Sequence, residues 1–226
     1  MKQKAKNKTI DKAIEGIEKH GAVLVFPIKN SAEPKSLWSI LHPRTPMRWE
    51  WDEEGDGKLF SLWRMREELS RSRLVVYTKW YQGRATFFSR DVFINLLSFL
   101  NGSANGASDI SLSRESLSLL ECLRLDSPLS TKQLKEMTDL RGRWLEATYN
   151  RSMKALWSRL LIVAFGEVED SSFPSLAIAA TEIIFEDMWF QSKKIPAKKA
   201  QEYLYNKLGE QNKFYIFAKK LHTEWS

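Results

Sequence analysis

From Arg143 to about Leu160 the chain runs without a glycine or proline. At 100° per residue, Leu145, Tyr149, Ser152, Met153, Leu156 and Leu160 fall on one side of a helix. Arg143, Arg151 and Lys154 gather on the other, with Asn150 and Ser158 beside them. Between Arg141 and Arg159, five basic residues meet one acid, Glu146. A helix with one face to pack and one basic face to present is either a solvated amphipathic helix or a reader of the DNA major groove. Its neighbours bear on which.

Upstream, Ser113 to Leu125 carries a start signal, Ser113 followed by Glu115 and Ser116, and an apolar stripe through Leu117, Leu120 and Leu123. Asp126-Ser127-Pro128 ends it. Ser130 or Thr131 caps a second short helix, Lys132 to Met137, and 138–142 turn the chain into the long one. Downstream, Leu160–Phe165 and Ser175–Ala180 are strand-like runs around a loop of turn residues, 166–174. Helix, helix, basic helix and hairpin over 112–181 predict a winged helix. The wing is acidic at Glu167, Glu169 and Asp170, which is awkward against phosphate.

The chain has 226 residues, a net charge of +7 and a pI near 9.4, which favour a polyanionic partner. Its one cysteine, Cys122, predicts neither a disulfide framework nor a zinc site, and reads as a small core residue in a reducing compartment. No apolar run reaches membrane-spanning length, and the Lys-rich start lacks an apolar signal core, so a cytoplasmic protein is expected, at the nucleoid if DNA-bound.

The first half opens on a Lys-rich, frayed start and a helix from Thr9 to His20, closed by Gly21. His20 reads as a cap-region residue. Ala22 to Ile28 is a strand interrupted by Pro27, hence an edge strand. A short helix follows Pro34. Then 43–56 interleave Arg44 and Arg48 with Trp49 and Trp51 and end on five carboxylates in seven residues, Glu50, Asp52, Glu53, Glu54 and Asp56. Arginine beside tryptophan suits stacking and phosphate contact. The acids suit a solvated turn, a clamp on nearby arginines, or a general base. Lys58 to Arg71 is a helix bearing Leu59, Leu62, Trp63, Arg66 and Leu69. The hairpin 74–89 offers Tyr77, Lys79, Tyr81, Arg84 and Phe88 as a basic aromatic surface, and a two-stranded ribbon can enter a groove. A helix from Arg90 to Leu100 completes what reads as a second, degenerate winged helix.

Four regions result: 1–100, a linker at 101–111, the winged helix at 112–181, and a helical tail at 182–226 with helices over 182–191, 197–208 and 211–222. The predicted class is mainly α with small β-hairpins (α+β): tandem winged helices and a C-terminal tail. Eight lysines between Lys193 and Lys220 meet two acids, which suits a phosphate-contacting arm or a solvated helix pair. His42 and His222 have no ligand or triad partner at recognisable spacing. Neither G-x-G-x-x-G nor G-x-x-x-x-G-K-[ST] occurs, so no nucleotide cofactor is expected.

The strings SLWSILHPRTPMRWEWDEE and LWRMREELSRSRLVVYTKWYQGRATFFSR, with the downstream winged helix, resemble the AlkZ/YcaQ family of winged-helix DNA glycosylases. That family removes N7-alkylated purines and unhooks interstrand crosslinks. The resemblance runs over most of the chain and implies tandem winged helices around double-stranded DNA, no metal and no nucleophilic lysine. The family carries a Gln-apolar-Gln or Gln-apolar-Asp motif on the strand after the first helix. Here that place falls on Pro27-Ile28-Lys29, and no such triplet occurs in residues 1–100.

Three readings follow. The first is a DNA-binding relative without the excision motif, using Arg44, Arg48, Trp49, Trp51, Lys79, Arg84, Arg143, Asn150, Arg151 and Lys154. The second is a monofunctional DNA glycosylase in which Asp52, Glu53 or Glu50 positions the water and Trp49 or Trp51 supports the flipped base. The third is a dimeric winged-helix transcriptional regulator.

Overall fold

The computed structural model describes residues 2–49, 57–102, 112–169 and 174–225. Two stretches repeat one connectivity. In the first, α1 (Lys2–His20) leads to β1 (Ala22–Leu24), α2 (Leu37–Leu41), α3 (Gly57–Arg71) and a hairpin of β2 (Val76–Tyr81) and β3 (Arg84–Phe88). β1 returns to pair antiparallel with β3. Helix α4 (Arg90–Asn101) follows. In the second, α5 (Arg114–Leu125) leads to α6 (Thr131–Met137), α7 (Glu146–Ser158) and a hairpin of β4 (Ile162–Val168) and β5 (Ser175–Ala180). Leu129, between α5 and α6, takes the place of β1. It forms a single antiparallel bridge to Ile178 of β5, with both backbone bonds at 2.8 Å.

The two hairpins join. β2 pairs antiparallel with β4 at Tyr77 and Ala164, giving one five-stranded sheet in the order β1-β3-β2-β4-β5. Successive strand residues face opposite sides, and both sides are covered. Val23, Tyr77, Phe87, Ile162 and Ile178 pack with apolar residues of α1, α2, α3, α5 and α7. Val76, Trp80, Phe88, Val163 and Ala179 pack with α4 and the tail helices α9 (Glu186–Lys193), α10 (Ala197–Leu208) and α11 (Lys213–Trp225). This explains why β2 and β3 are apolar on both sides rather than alternating. Each fully buried Phe or Leu contributes about 1.5–3 kcal/mol of transfer free energy.

The predicted class therefore holds: the chain is mainly helical with a small antiparallel sheet. Ser113 caps α5 by accepting from the Ser116 amide, and Ser130 and Gln133 form a reciprocal capping box on α6. β1 lies at the sheet edge and stops before Pro27, as a residue without an N–H requires.

Several details differ from expectation. α1 begins at Lys2, since the lysines supply good helix formers and no breaker. The buried side of α5 is Ser116, Leu119, Leu120 and Leu123, and Leu117 is exposed. The expected helix at 182–191 is two, α8 (Thr181–Ile184) and α9, broken at Phe185, whose ring is buried. The expected ribbon surface is largely core. Tyr77, Tyr81 and Phe88 are buried because the hairpin lies inside the sheet, flanked by β1 and β4, and cannot enter a groove as a free ribbon. Asn101 ends α4, and 103–111 of the expected linker lie outside the described residues. Cys122 is half-buried against the core, and burial, then the charge of Glu121, pushes its thiol up, away from nucleophile chemistry.

Candidate nucleic-acid interface

Helix α7 separates its faces. Tyr149, Ser152, Met153, Leu156 and Trp157 are buried, while Asn150, Arg151 and Lys154 are exposed. The helix starts at Glu146, later than its apolar spacing predicts, so Arg143 stands in the preceding turn, exposed. Ser158 does not join the basic face. It is buried, and its carbonyl accepts from the Trp80 indole at 3.0 Å. Glu146 is held by Lys135 at 2.6 Å, and that hydrogen bond keeps its carboxyl below the usual range. Among the described residues Arg143, Arg151 and Lys154 form no ion pair with a carboxylate.

The acidic wing has a structural answer. Glu167 on β4 turns inward to Arg66 of α3, a pair whose side chains are 9% and 18% exposed. Arg71 donates to the Glu167 carbonyl at 2.6 Å and to the Glu67 carboxylate at 2.7 Å. The Ser70 hydroxyl accepts from the Gly166 amide at 2.9 Å. Gly166 sits where the β4–β5 register shifts, at φ +78°, and the Arg71 guanidinium lies where a side chain would go. So Glu167 clamps the two halves together and is not aimed at phosphate. Glu169 is exposed, and Asp170 lies outside the described residues.

A second basic region gathers aromatic rings. The Asn30 side chain bonds the Met47 amide and carbonyl at 2.7 and 2.9 Å, and the Trp38 indole donates to the Thr45 carbonyl at 2.7 Å. These bonds fix the turn at 43–45 and the segment after it, which sets Trp49 against Phe26 with ring centroids 5.1 Å apart. Phe26 also stacks on Trp63 of α3 at 6.3 Å. The Arg66 guanidinium lies 4.0 Å over the Trp63 ring. Arg44, Arg48 and Trp49 are exposed here. Glu50, Trp51, Asp52 and Glu53 lie outside the described residues. Lys79 is the exposed position of an otherwise buried β2.

Arg84 stands elsewhere. It follows the Gln82-Gly83 turn, whose two positive φ angles suit a tight hairpin. At this end of the hairpin Tyr81 meets Phe214 and Phe217 of α11 at 5.0 and 5.1 Å. The structure thus joins Trp49 to the Arg66 cluster, while the α7 cations and Arg84 stand on other elements. The spacing of apolar residues gives Phe26, Trp63 and Arg66 no site role. The usable signal is Arg66 itself, an arginine in the buried stripe Leu59, Leu62, Leu69.

The place expected for the glycosylase motif, Pro27-Ile28-Lys29, offers no carboxylate and no side-chain amide. After α1 come Ala22, Val23, Leu24, Val25, Phe26, Pro27 and Ile28, and then Lys29, exposed at φ +50°. Among the described residues no cluster of three His, Cys, Asp or Glu is placed to hold a metal, and no helix is long and apolar enough to cross a membrane.

No curated protein and no solved structure matches the chain. A family model described as AlkZ related matches residues 7–215, nearly the whole length, and the chain belongs to that AlkZ-related family.

Proposed function

We propose that this protein binds double-stranded DNA through two winged-helix units, and that it recognises its duplex without the excision chemistry of the AlkZ/YcaQ glycosylases. The observation that carries this reading is α7, with its apolar face buried, Arg151 and Lys154 exposed, and Arg143 exposed in the turn before it; among the described residues none of the three pairs with a carboxylate. In a winged helix the corresponding helix lies in the major groove. The order helix, strand, helix, helix, strand, strand in the first stretch, and the same order with the early strand reduced to the Leu129 bridge in the second, supports two such units. Binding acts through phosphate neutralisation, so log K falls with log salt by about 0.9 per contacted phosphate. The apolar run 22–28 supports the loss of excision, since it offers no carboxylate or amide to position water. The duplex, alkylated or crosslinked, is met in the cytoplasm, at the nucleoid.

One observation favours a second reading, a monofunctional glycosylase. Trp49 packs on Phe26 beside Trp63 and leads directly into Glu50, Asp52 and Glu53. A flipped base could stack on those rings, and the acids follow Trp49 directly in the sequence.

The test is a duplex with one N7-alkylguanine beside an undamaged control, followed by gel shift across a salt series and by hot alkali. Salt-sensitive binding without strand cleavage is the expected result. Cleavage that Asp52→Asn or Glu53→Gln abolishes establishes the second reading. Absent or salt-insensitive binding sinks both.

A further inference from the structure

We propose that Trp144 stacks on an unpaired base, so that the protein favours a duplex whose base stack is interrupted over an intact one. This rests on the DNA-binding reading and names the form of duplex that α7 meets.

The turn between α6 and α7 stands clear of the fold while both its ends are fixed. The Thr138 amide and hydroxyl donate to the Leu134 carbonyl at 3.2 and 2.6 Å, and Leu140 is buried. Beyond Leu140 every residue from Arg141 to Ala147 is exposed. Gly142 turns the chain at φ +95°, and nothing lies within 4 Å of the place where its side chain would go. The Leu145 amide donates to the Gly142 carbonyl at 3.1 Å, and the Tyr149 amide to the Leu145 carbonyl at 2.9 Å, so the turn runs directly into α7.

Trp144 is carried on this turn and is 94% exposed, the most exposed large apolar side chain among the described residues. Two other open tryptophans lean on partners, Trp49 on Phe26 and Trp63 under Arg66. An indole left this bare on an ordered turn adds nothing to the core. The charges beside it suit an anion. Arg141 is tied to Glu136, and Lys135 to Glu146. That leaves Arg143 and one acid, Asp139, within 138–145. Helix α7 adds Arg151 and Lys154, and among the described residues none of these three cations pairs with a carboxylate.

In a helix-turn-helix unit the N-terminal end of the recognition helix is the part that meets the bases. An intact major groove presents base edges and thymine methyls there, not ring faces. The flat face of an indole needs another flat face. One is open where a base is bulged or displaced from the stack. Every base has such a face, so the contact tells a broken stack from an unbroken one and reads no sequence. A second protein could also cover an indole, but the unmatched cations beside this one fit phosphate.

The test titrates the full chain against a labelled duplex and against the same duplex carrying one bulged 2-aminopurine, at one salt concentration. Gel shift gives the two affinities. The emission of 2-aminopurine, which drops when the base stacks, reads the contact itself. Wild type is expected to quench that emission and to favour the bulged duplex by about 10-fold, inside the roughly 5- to 150-fold that one base–aromatic stack supplies. Trp144→Ala is expected to remove both the preference and the quench, with a melting curve to confirm folding, and Trp144→Phe to keep part of each. Duplex binding without preference overturns the inference and leaves the DNA reading standing. A preference that survives Trp144→Ala but is lost in Trp63→Ala overturns the assignment and moves the stack to the first repeat. A sedimentation mass of two chains that Trp144→Ala returns to one makes the ring an interface between copies and overturns the inference. Absence of binding to either duplex removes the DNA reading and this inference with it.

Discussion

The two repeats of helix, strand, helix, helix and hairpin spend their third helices differently. In the first, α3 turns its charge inward: Arg66 meets Glu167, Arg71 meets Glu67 and the Glu167 carbonyl, and Trp63 lies under Arg66. In the second, α7 and the turn before it leave Arg151, Lys154 and Arg143 exposed to solvent. The first repeat also holds its early strand, β1, in three residue pairs with β3, whereas the second reduces it to the Leu129 bridge. One connectivity thus yields a clamp and a contact surface. What decides is the partner strand. α3 lies against β4, which offers Glu167, while the β2 strand near α7 offers no carboxylate.

That contrast can be broken or sharpened by substitution. Arg66→Ala strands a half-buried Glu167 and is expected to lower unfolding free energy by about 3 kcal/mol in urea denaturation, as loss of one partner of a buried pair does. A loss below about 1 kcal/mol, within the range of surface pairs, would show that the clamp does not join the repeats. Gly166→Ala forces a side chain into φ +78° against the Arg71 guanidinium. It is expected to cost about 1–2 kcal/mol from the left-handed conformation alone. Arg151→Ala with Lys154→Ala touches no clamp, so stability should shift by less than about 0.5 kcal/mol. Duplex affinity should fall instead, and the slope of log K against log salt should drop by about 2, read by gel shift. An unchanged slope would take α7 out of the interface.

The smallest effect is confined to high pH. Burial pushes Tyr149 of α7 from 10.0 up to about 12. The folded state therefore holds that proton more tightly than the unfolded chain. Its contribution is whole below pH 10 and is lost as pH rises toward about 12. Tyr149→Phe should flatten that part of the stability–pH curve and leave the neutral region unchanged. Tyr77 of β2, also pushed up by burial but drawn back by Arg66, keeps its own share of the loss.

Much of this fold is written locally. Ser113 and Ser130 announce their helices, Gln82-Gly83 its turn, and the split faces of α7 are visible in its spacing. The β2–β4 pairing is not visible, because alternation reports which face a residue takes and is silent about which strand lies next to it. The basic aromatic ribbon was misjudged for that reason: Tyr77 and Phe88 suit an exposed hairpin and a central strand equally well. The acidic wing reads as awkward against phosphate, but its partner is invisible in the same way. Glu167 stands 101 residues from Arg66, and only the sheet brings them together. Of the candidate site, exposure of Asn150, Arg151 and Lys154 could be read from helical spacing, but the meeting of Phe26, Trp49, Trp63 and Arg66 needs the tertiary fold.

The seam between β2 and β4 also decides what either repeat can be when separated from the other. Each hairpin hides the other's outer edge, with Tyr77 backbone against Ala164. A chain cut between the repeats would leave β2 with unpaired amides and carbonyls along a flat apolar strand, a template for another copy of itself. The halves are thus each other's protection against edge-to-edge association. The cost is kinetic: the pairing of Tyr77 with Ala164 is a contact between distant parts of the sequence, of the kind that slows folding.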